Sequence, residues 1–175
     1  SVPVLGLAAV LDPIAGFAVE KRLKDVLEVE AVLILLPAFL GIAGALGGIL
    51  SSRLSTQFHL GMDDASPLPS RSSLRGAIDL SLLAVPIFIF SGVIAHLIAV
   101  VAEQSTPGAG KLVLISAIAG SIVTVFVVAV AYYTTMGSFR FGLDPDTYGI
   151  PIVTSSLDLV GAFTVILAMV LTGVI

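Results

Sequence analysis

Asp158 is the one acid in a long apolar stretch at the end of the chain, "GIPIVTSSLDLVGAFTVILAMVLTGVI". On a helix, Thr154 lies four residues before it and Ser155 three, so their oxygens neighbour its carboxylate. Carboxylate, hydroxyl and carbonyl oxygens are ligands that suit Mg²⁺, Ca²⁺ or Mn²⁺. An ionisable residue inside a membrane span is costly and by default functional. The spacing therefore predicts a divalent-cation site at Asp158, with Thr154 and Ser155 beside it.

The same residues allow a structural alternative. "SSLD" is also the pattern of a helix start, with Ser155 as the N-cap and Asp158 three residues further on. In that case the acid would lie at the membrane surface and serve only as a cap. A start at Pro151, a residue typical of the first helical turn, places Asp158 about two turns inside the helix instead. We expect the second arrangement.

The count of charges bears on the number of subunits. A single Asp158 offers one negative charge against a divalent ion. A two-fold dimer, the most common symmetry of oligomers, would bring two copies of Asp158 to one axis and balance the charge. Mg²⁺ releases its water reluctantly, so one or two carboxylates and several waters are enough to hold it. The sequence thus favours a homodimer around a divalent cation.

The composition places the chain in the lipid bilayer. Of 175 residues, 57% are hydrophobic and 11% are charged, and the mean hydropathy is +1.13. Soluble domains carry roughly 25% charged residues. The chain has no cysteine, which excludes disulfides and thiol chemistry, and its net charge of −4 comes with no basic patch for nucleic acid. An integral membrane protein is the class that remains.

Long uncharged runs predict an all-α membrane protein with five transmembrane helices in a single domain, residues 1–175. The predicted spans are about 1–19, 31–60, 76–103, 110–137 and 150–175. The connector "EKRLKDVLEVE" between the first two spans has the spacing of a short amphipathic helix at the membrane interface. Loops 61–75 and 138–149 then lie on one side of the membrane.

The second span carries an unusual number of small residues. At 100° per residue, one side of this helix collects Gly41, Gly44, Ala45, Gly48, Ser52 and Ser55. Gly44 and Gly48 form a GxxxG pattern, which lets helices pack closely in membranes. A second interpretation is that the stripe lines a narrow path. The two interpretations are compatible, and Gly161, on the Asp158 side of the fifth span, belongs with them.

Four further acids could serve at the mouth of such a path, where negative charge raises the local cation concentration. Asp12 lies within or near the end of the first span. Asp79 is expected at the start of the third span, as an interfacial charge near a helix N-terminus. Asp144 and Asp146 are expected in a solvated turn around Pro145.

Catalysis has little support in the sequence. A membrane enzyme needs a cluster of His, Ser or acidic residues near one interface. His59 and His96 have no such neighbours in the sequence, so we expect no enzyme. His96 is predicted to be a hydrogen-bonded structural residue, and His59 and Arg53 to mark an interface. A non-transporting subunit of a heteromeric transporter, with a different chain as its obligate partner, remains an alternative to a self-sufficient transporter.

Two segments resemble the MgtE magnesium transporter family, and are most similar to the MgtE-like solute-carrier magnesium transporters. "LLPAFLGIAGALGGILSSRLSTQFHLG" resembles the second-span signature, and "LDPDTYGIPIVTSSLDLVG" the last-span motif. The residues that carry the resemblance are Pro37, Gly41, Gly44, the "SSRLST" at 51–56, Asp144, Pro145, Asp146, Pro151, Thr154, Ser155, Asp158 and Gly161. The chain departs from the family at Ala45 and Ile49, where an Asn and often a Gln stand, and at Ile150.

The resemblance implies a homodimeric channel or transporter for divalent cations. Its path would run between the second and fifth spans of both subunits, with Asp158 as the central ion ligand and the backbone oxygen of Thr154 beside it. The resemblance also implies a multi-pass protein of the cell membrane, with loops 61–75 and 138–149 in the cytosol and the C-terminus outside. We expect neither the family's cytosolic sensor domains nor gating by them.

Overall fold

The computed structural model describes residues 29–175, apart from the side chain of Asp146, and four helical residues nearer the start, Gly6, Ala9, Val10 and Pro13. Residues 29–175 form four long helices and no strand: α1 (Glu30–His59), α2 (Arg71–Val101), α3 (Ala109–Arg140) and α4 (Pro145–Leu171). All four are long and apolar enough to cross a membrane. The all-α prediction is confirmed for this part of the chain, whereas most of the span at 1–19, Asp12 and the amphipathic connector lie outside the described residues.

The helices begin and end close to the predicted positions in α1 and α3, but α2 and α4 both start earlier. Ser70 explains the start of α2, because its hydroxyl accepts hydrogen bonds from the backbone N–H groups of Ser72 and Ser73, both at 3.2 Å. Pro145 is the first residue of α4, where a missing N–H costs nothing. The predicted assignment of that place to Pro151 is wrong, because Pro151 lies six residues inside the helix.

The earlier starts shorten the loops and move two acids. The loop predicted at 138–149 is reduced to residues 141–144, so Asp146 lies in the first turn of α4 and not in a solvated turn. Asp79 lies eight residues after Arg71, about two turns into α2. Its predicted position at a helix N-terminus is therefore wrong.

The four helices form a bundle in which α1 and α3 are central. Each of these two packs against the other and against both α2 and α4. In α2, the Phe88 ring packs 4.7 Å, centroid to centroid, from that of Phe39 in α1, and Gly120 of α3 leaves room for the Phe88 ring. The Ser116 hydroxyl donates to the carbonyl of Phe88 at 2.6 Å. Close approach at small residues and buried hydrogen bonds are the means by which helices associate in lipid.

Loop contacts distinguish the two ends of the bundle. The Asp63 end contains residues 60–70 and 141–144, and the Ser105 end contains residues 102–108 and 172–175. At the Asp63 end, the Tyr132 hydroxyl donates to the carbonyl of Ser66 at 2.8 Å. At the Ser105 end, the Ser105 N–H donates to the Glu30 carboxylate at 2.8 Å, and the Glu30 N–H donates to the Ser105 hydroxyl at 3.2 Å. The second pair ties the start of α1 to the α2–α3 loop.

Candidate functional site

Asp158 lies at the midpoint of its helix. Thirteen residues separate it from Pro145 at the start of α4, and thirteen separate it from Leu171 at the end. At a rise of about 1.5 Å per residue, the residue is roughly 20 Å from either end. The cap alternative is wrong, because the helix has already run for three turns before Ser155. In a helix that crosses the membrane, the carboxylate is thus near the middle of the hydrocarbon core.

The turns around Asp158 pack on α1 through glycines. A methyl group added to Gly44 would lie 3.6 Å from Cγ2 of Thr154, which is ordinary contact. One added to Gly47 would lie 2.6 Å from Val153 and 2.7 Å from Leu157, too close to be accommodated without a shift. Gly161 is covered in the same way by Leu40, at 2.6 Å. Asp158 therefore lies between two levels of α1–α4 contact, one turn from each.

The face of α4 that carries Asp158 is closed on one side of the residue and open on the other. Toward the Ser105 end, Val165 and Met169 share this face and are buried, at 1% and 0% exposure. Toward the Asp63 end, Pro151 and Thr154 are only half-buried, as is Asp158 itself. Side chains of α4 are thus partly exposed from Asp158 toward the Asp63 end, although α1 packs tightly on Val153 and Leu157 beside them.

The predicted small-residue stripe of α1 is largely uncovered beside this opening. Gly44 contacts Thr154, and Gly41 and Gly48, one turn away on either side, have no atom within 4 Å of an added methyl group. Gly41, Ala45 and Ser52 are exposed, whereas Ser55 is buried. The sequence pattern missed Gly47, which lies off the stripe and packs tightly against α4. The structure separates a packing side of α1 at Gly47 from a free side at the stripe.

Oxygen atoms line the Asp158 face of α4. The Thr154 hydroxyl donates to the carbonyl of Pro151 at 3.1 Å. Pro151 has no N–H to donate to the carbonyl of Thr147, four residues earlier in the helix. That carbonyl lies eleven residues, or three helical turns, before Asp158 and so on the same face. The sequence analysis missed it, although a proline inside an apolar span was a signal for it.

Ser155 lies one turn before Asp158 in α4 and is buried. The predicted acids nearer the Asp63 end lie apart from Asp158. Asp144 precedes α4 and its carboxylate accepts a hydrogen bond from the Thr147 hydroxyl. Asp79 lines a cavity between α1 and α2. His96 Nδ1 lies 3.1 Å from the Thr106 hydroxyl, which confirms its predicted hydrogen-bonded role.

A closed metal cage does not occur in the described part of the chain, where no three His, Asp or Glu side chains come together. An ion at Asp158 would therefore keep much of its own water. Mg²⁺ is the divalent ion most often held in this manner.

The helices and the position of Asp158 indicate the class of protein. Four apolar helices of membrane-spanning length, with a carboxylate at the middle of one, make this a multi-pass membrane protein with an ionisable site in the bilayer. The model of the MgtE family, described as a divalent cation transporter, matches residues 36–168, and the chain belongs to that family. This membership confirms the resemblance and agrees with the prediction that the chain is not an enzyme.

The chain is also similar to a curated protein. It is 25% identical over 167 residues to "Solute carrier family 41 member 3" from Mus musculus. The alignment covers 89% of this chain and 34% of that protein, so the chain spans about a third of the relative's length. No solved structure matches the chain.

Proposed function

We propose that this chain transports a divalent cation across the cell membrane, with Mg²⁺ as the preferred ion. The path lies between two copies of the chain. The path runs between α1 and α4 of both copies, and Asp158 of each copy is the central ligand. The observation that carries the proposal is the half-buried carboxylate at the midpoint of α4, beside the uncovered stripe of α1. Membership in a family of divalent cation transporters supports it.

The second copy supplies a second negative charge and packs on the exposed small residues of α1. One carboxylate balances half of a divalent charge, and the two-fold partner contributes the other half. Helices in lipid associate through small residues, and Gly41, Ala45 and Ser52 form such a surface, exposed in the described part of a single copy. Each subunit of the proposed dimer is a single domain of five spans, with the predicted 1–19 as the first and an interfacial amphipathic helix after it.

The proposed ion is held by few protein groups. Asp158 contacts the ion directly or through its water, and the backbone oxygens of Thr154 and Thr147 accept hydrogen bonds from that water. Ser155 is buried, so we assign it to the support of this turn. The small residues Ala45 and Gly48 leave the width that a hydrated ion needs, and Gly44 and Gly161 let α1 and α4 approach each other beside the path.

We place the Asp63 end in the cytosol and the C-terminus outside. The partial exposure of Pro151 and Thr154, between Asp158 and the Asp63 end, supports access to Asp158 from the cytosol. Asp79, Asp144 and Asp146 lie toward the same end, where their charge raises the cation concentration at the entrance. Asp12, in the proposed first span, is a further acid that could attract cations to the path.

Flux through the purified protein in liposomes tests the proposal. We expect Asp158→Asn to lower Mg²⁺ flux at least about tenfold, the ratio that corresponds to about 1.4 kcal/mol of barrier. Asp64→Asn is the matched control, because Asp64 is exposed in the loop at the Asp63 end. Comparison of Mg²⁺, Ca²⁺, Mn²⁺ and Na⁺ gives the selectivity.

Two outcomes would contradict the proposal. The first is wild-type flux in an Asp158→Asn protein that remains dimeric. The second is a wild-type protein that conducts no divalent cation alone but does so with a different chain bound, as expected for an obligate-partner subunit.

A further inference from the structure

A cavity of about 310 Å³ lies between the second half of α1 and the first turns of α2. This volume is at the lower end of the range for small-molecule sites. Its wall consists of Leu50, Arg53, Leu54, Gln57, Ser72, Ser73, Arg75, Gly76 and Asp79. The cavity is on the α2 side of α1, and the proposed ion path is on the α4 side, so the transport proposal involves only Asp79 of this wall, as an acid near the entrance.

The charged groups of the cavity are two arginines and one acid. Arg53 comes from α1, and Arg75 and Asp79 come from α2, so the wall has a net positive charge. Among the residues that the structure describes, neither guanidinium forms a hydrogen bond or an ion pair. Two guanidinium groups from different helices therefore border one cavity with their donors unused.

The remaining donors of the wall are already engaged. The Ser72 and Ser73 hydroxyls both donate to the carboxylate of Asp63, at 3.0 Å for Ser72. The first free N–H groups of α2 donate to the Ser70 hydroxyl. An anionic ligand in the cavity would thus be bound by the two arginines. The serine hydroxyls and the N-terminus of α2 would not bind it, because their hydrogen bonds are already made within the protein.

Gln57 provides a second, independent indication of a ligand. Its Oε1 atom is buried and has no hydrogen-bond partner within the described residues. A buried acceptor without a partner costs about 1–3 kcal/mol, so such atoms are normally satisfied. A ligand that carries a hydroxyl group in addition to its negative charge would satisfy it once the Gln57 side chain turns toward the cavity.

We propose that this cavity binds a phosphate group, with Arg53 and Arg75 on its oxygens and Gln57 on a hydroxyl of the ligand. The planar guanidinium fork matches two phosphate oxygens, which makes arginine the side chain of choice for this recognition. Monoprotonated inorganic phosphate has both the charge and the hydroxyl. The headgroup of phosphatidylglycerol has both as well, and the cavity lies toward an end of a membrane-spanning bundle, where headgroups are found.

Thermal unfolding of the purified protein tests the proposal, because a ligand that binds the folded state raises the melting temperature by mass action. One arm adds sodium phosphate against sodium chloride of equal ionic strength, in neutral detergent. The other compares nanodiscs of phosphatidylcholine with and without phosphatidylglycerol. The test variant carries Arg53→Gln and Arg75→Gln together. The control variant is Arg140→Gln, because Arg140 is an exposed arginine at the same end that does not line the cavity.

We expect the wild type and Arg140→Gln to be stabilised equally and the double variant to require at least about tenfold more ligand for the same shift. A response to sodium phosphate identifies a free phosphate site, and a response to phosphatidylglycerol alone identifies a headgroup site. The doubly substituted Arg53→Lys, Arg75→Lys protein keeps both charges and so preserves the fold. It is expected to bind more weakly than the wild type because an ammonium group lacks the fork.

Equal stabilisation of the wild type and both double variants in each arm would overturn the proposal, as would no response of the wild type in either arm. Since the readout is binding, this result is independent of whether Asp158 conducts Mg²⁺.

Discussion

Asp158 is an ionisable residue at a depth where charge is expensive. Insertion of an aspartate at the centre of a membrane span costs about 2.5–3.5 kcal/mol on translocon scales. The midpoint position in α4 places it at that depth. Half-burial beside α1, with backbone oxygens nearby, leaves the carboxylate accessible to water or a cation.

Asp63, in the loop between α1 and α2, has a structural role. Its carboxylate accepts hydrogen bonds from the hydroxyls of Ser70, at 2.5 Å, Ser72 and Ser73, and so joins the α1–α2 loop to the start of α2. Partial burial alone would raise the pKa of Asp63, but the hydrogen bonds from Ser70, Ser73 and Ser72 outweigh it and hold the pKa below the ordinary value of 3.8. The charged form is thus favoured by folding.

The sign of this shift predicts a pH dependence. Because the folded-state pKa is below the unfolded one, the stabilisation by Asp63 is complete above about pH 3.8 and is lost as the pH falls through the folded value. We expect Asp63→Ala to lower the free energy of unfolding by about 1 kcal/mol at pH 7 and by less at pH 3. Denaturation in detergent at both pH values measures this, with Asp64→Ala as the control. An equal loss at pH 3 and pH 7 would rule out a role for the charge.

At the scale of helices, α1 carries glycines on two faces, and only one of these faces packs tightly on α4. Gly47 packs under Val153 and Leu157 of α4, whereas Gly48, the next residue, meets nothing within 4 Å. The GxxxG pattern pointed to Gly44 and Gly48, but the tight contact within one chain is at Gly47. The pattern predicts a helix that can approach another helix closely. It does not predict which glycine contacts α4 of the same chain and which contacts a second copy.

The two neighbouring glycines form a matched pair for mutagenesis. We expect Gly47→Ala to destabilise the bundle by about 1–3 kcal/mol, because the methyl group overlaps the stiff side chain of Val153. Gly48→Ala should leave the melting temperature of the subunit unchanged or slightly higher, since alanine favours helix. Thermal unfolding of the two variants in detergent measures the difference. Equal melting temperatures would show that α4 does not pack on α1 at Gly47.

For the whole molecule, the uncovered stripe predicts where two copies meet. The chain has no native cysteine, so a single introduced one reports on its own position. We expect Ala45→Cys to form a disulfide-linked dimer on mild oxidation in membranes, because Cα atoms across such an interface come within about 7 Å. Leu82→Cys is the control, on α2 at 70% exposure and outside the stripe. Crosslinking at Leu82→Cys in preference to Ala45→Cys would place the interface on another face.

The sequence by itself determined the membrane class, the helical fold of the described region and the family. It could do so because the bilayer imposes its own requirements: about 20 apolar residues per span, and backbone groups that are satisfied within a helix. It also singled out Asp158, since one charge in an apolar run is conspicuous without any structure.

The tertiary structure decided the start of α4, the division of α1 into a packing side and a free side, and the cavity of Arg53 and Arg75. Pro145 and Pro151 both suit a helix start, and only the three-dimensional arrangement shows which one begins α4 and how deep Asp158 lies. Gly47 and Val153 are far apart in the chain, as are Arg53 and Arg75 on separate helices. Contacts of this kind depend on how helices are rotated against one another, and local sequence preferences do not encode that rotation.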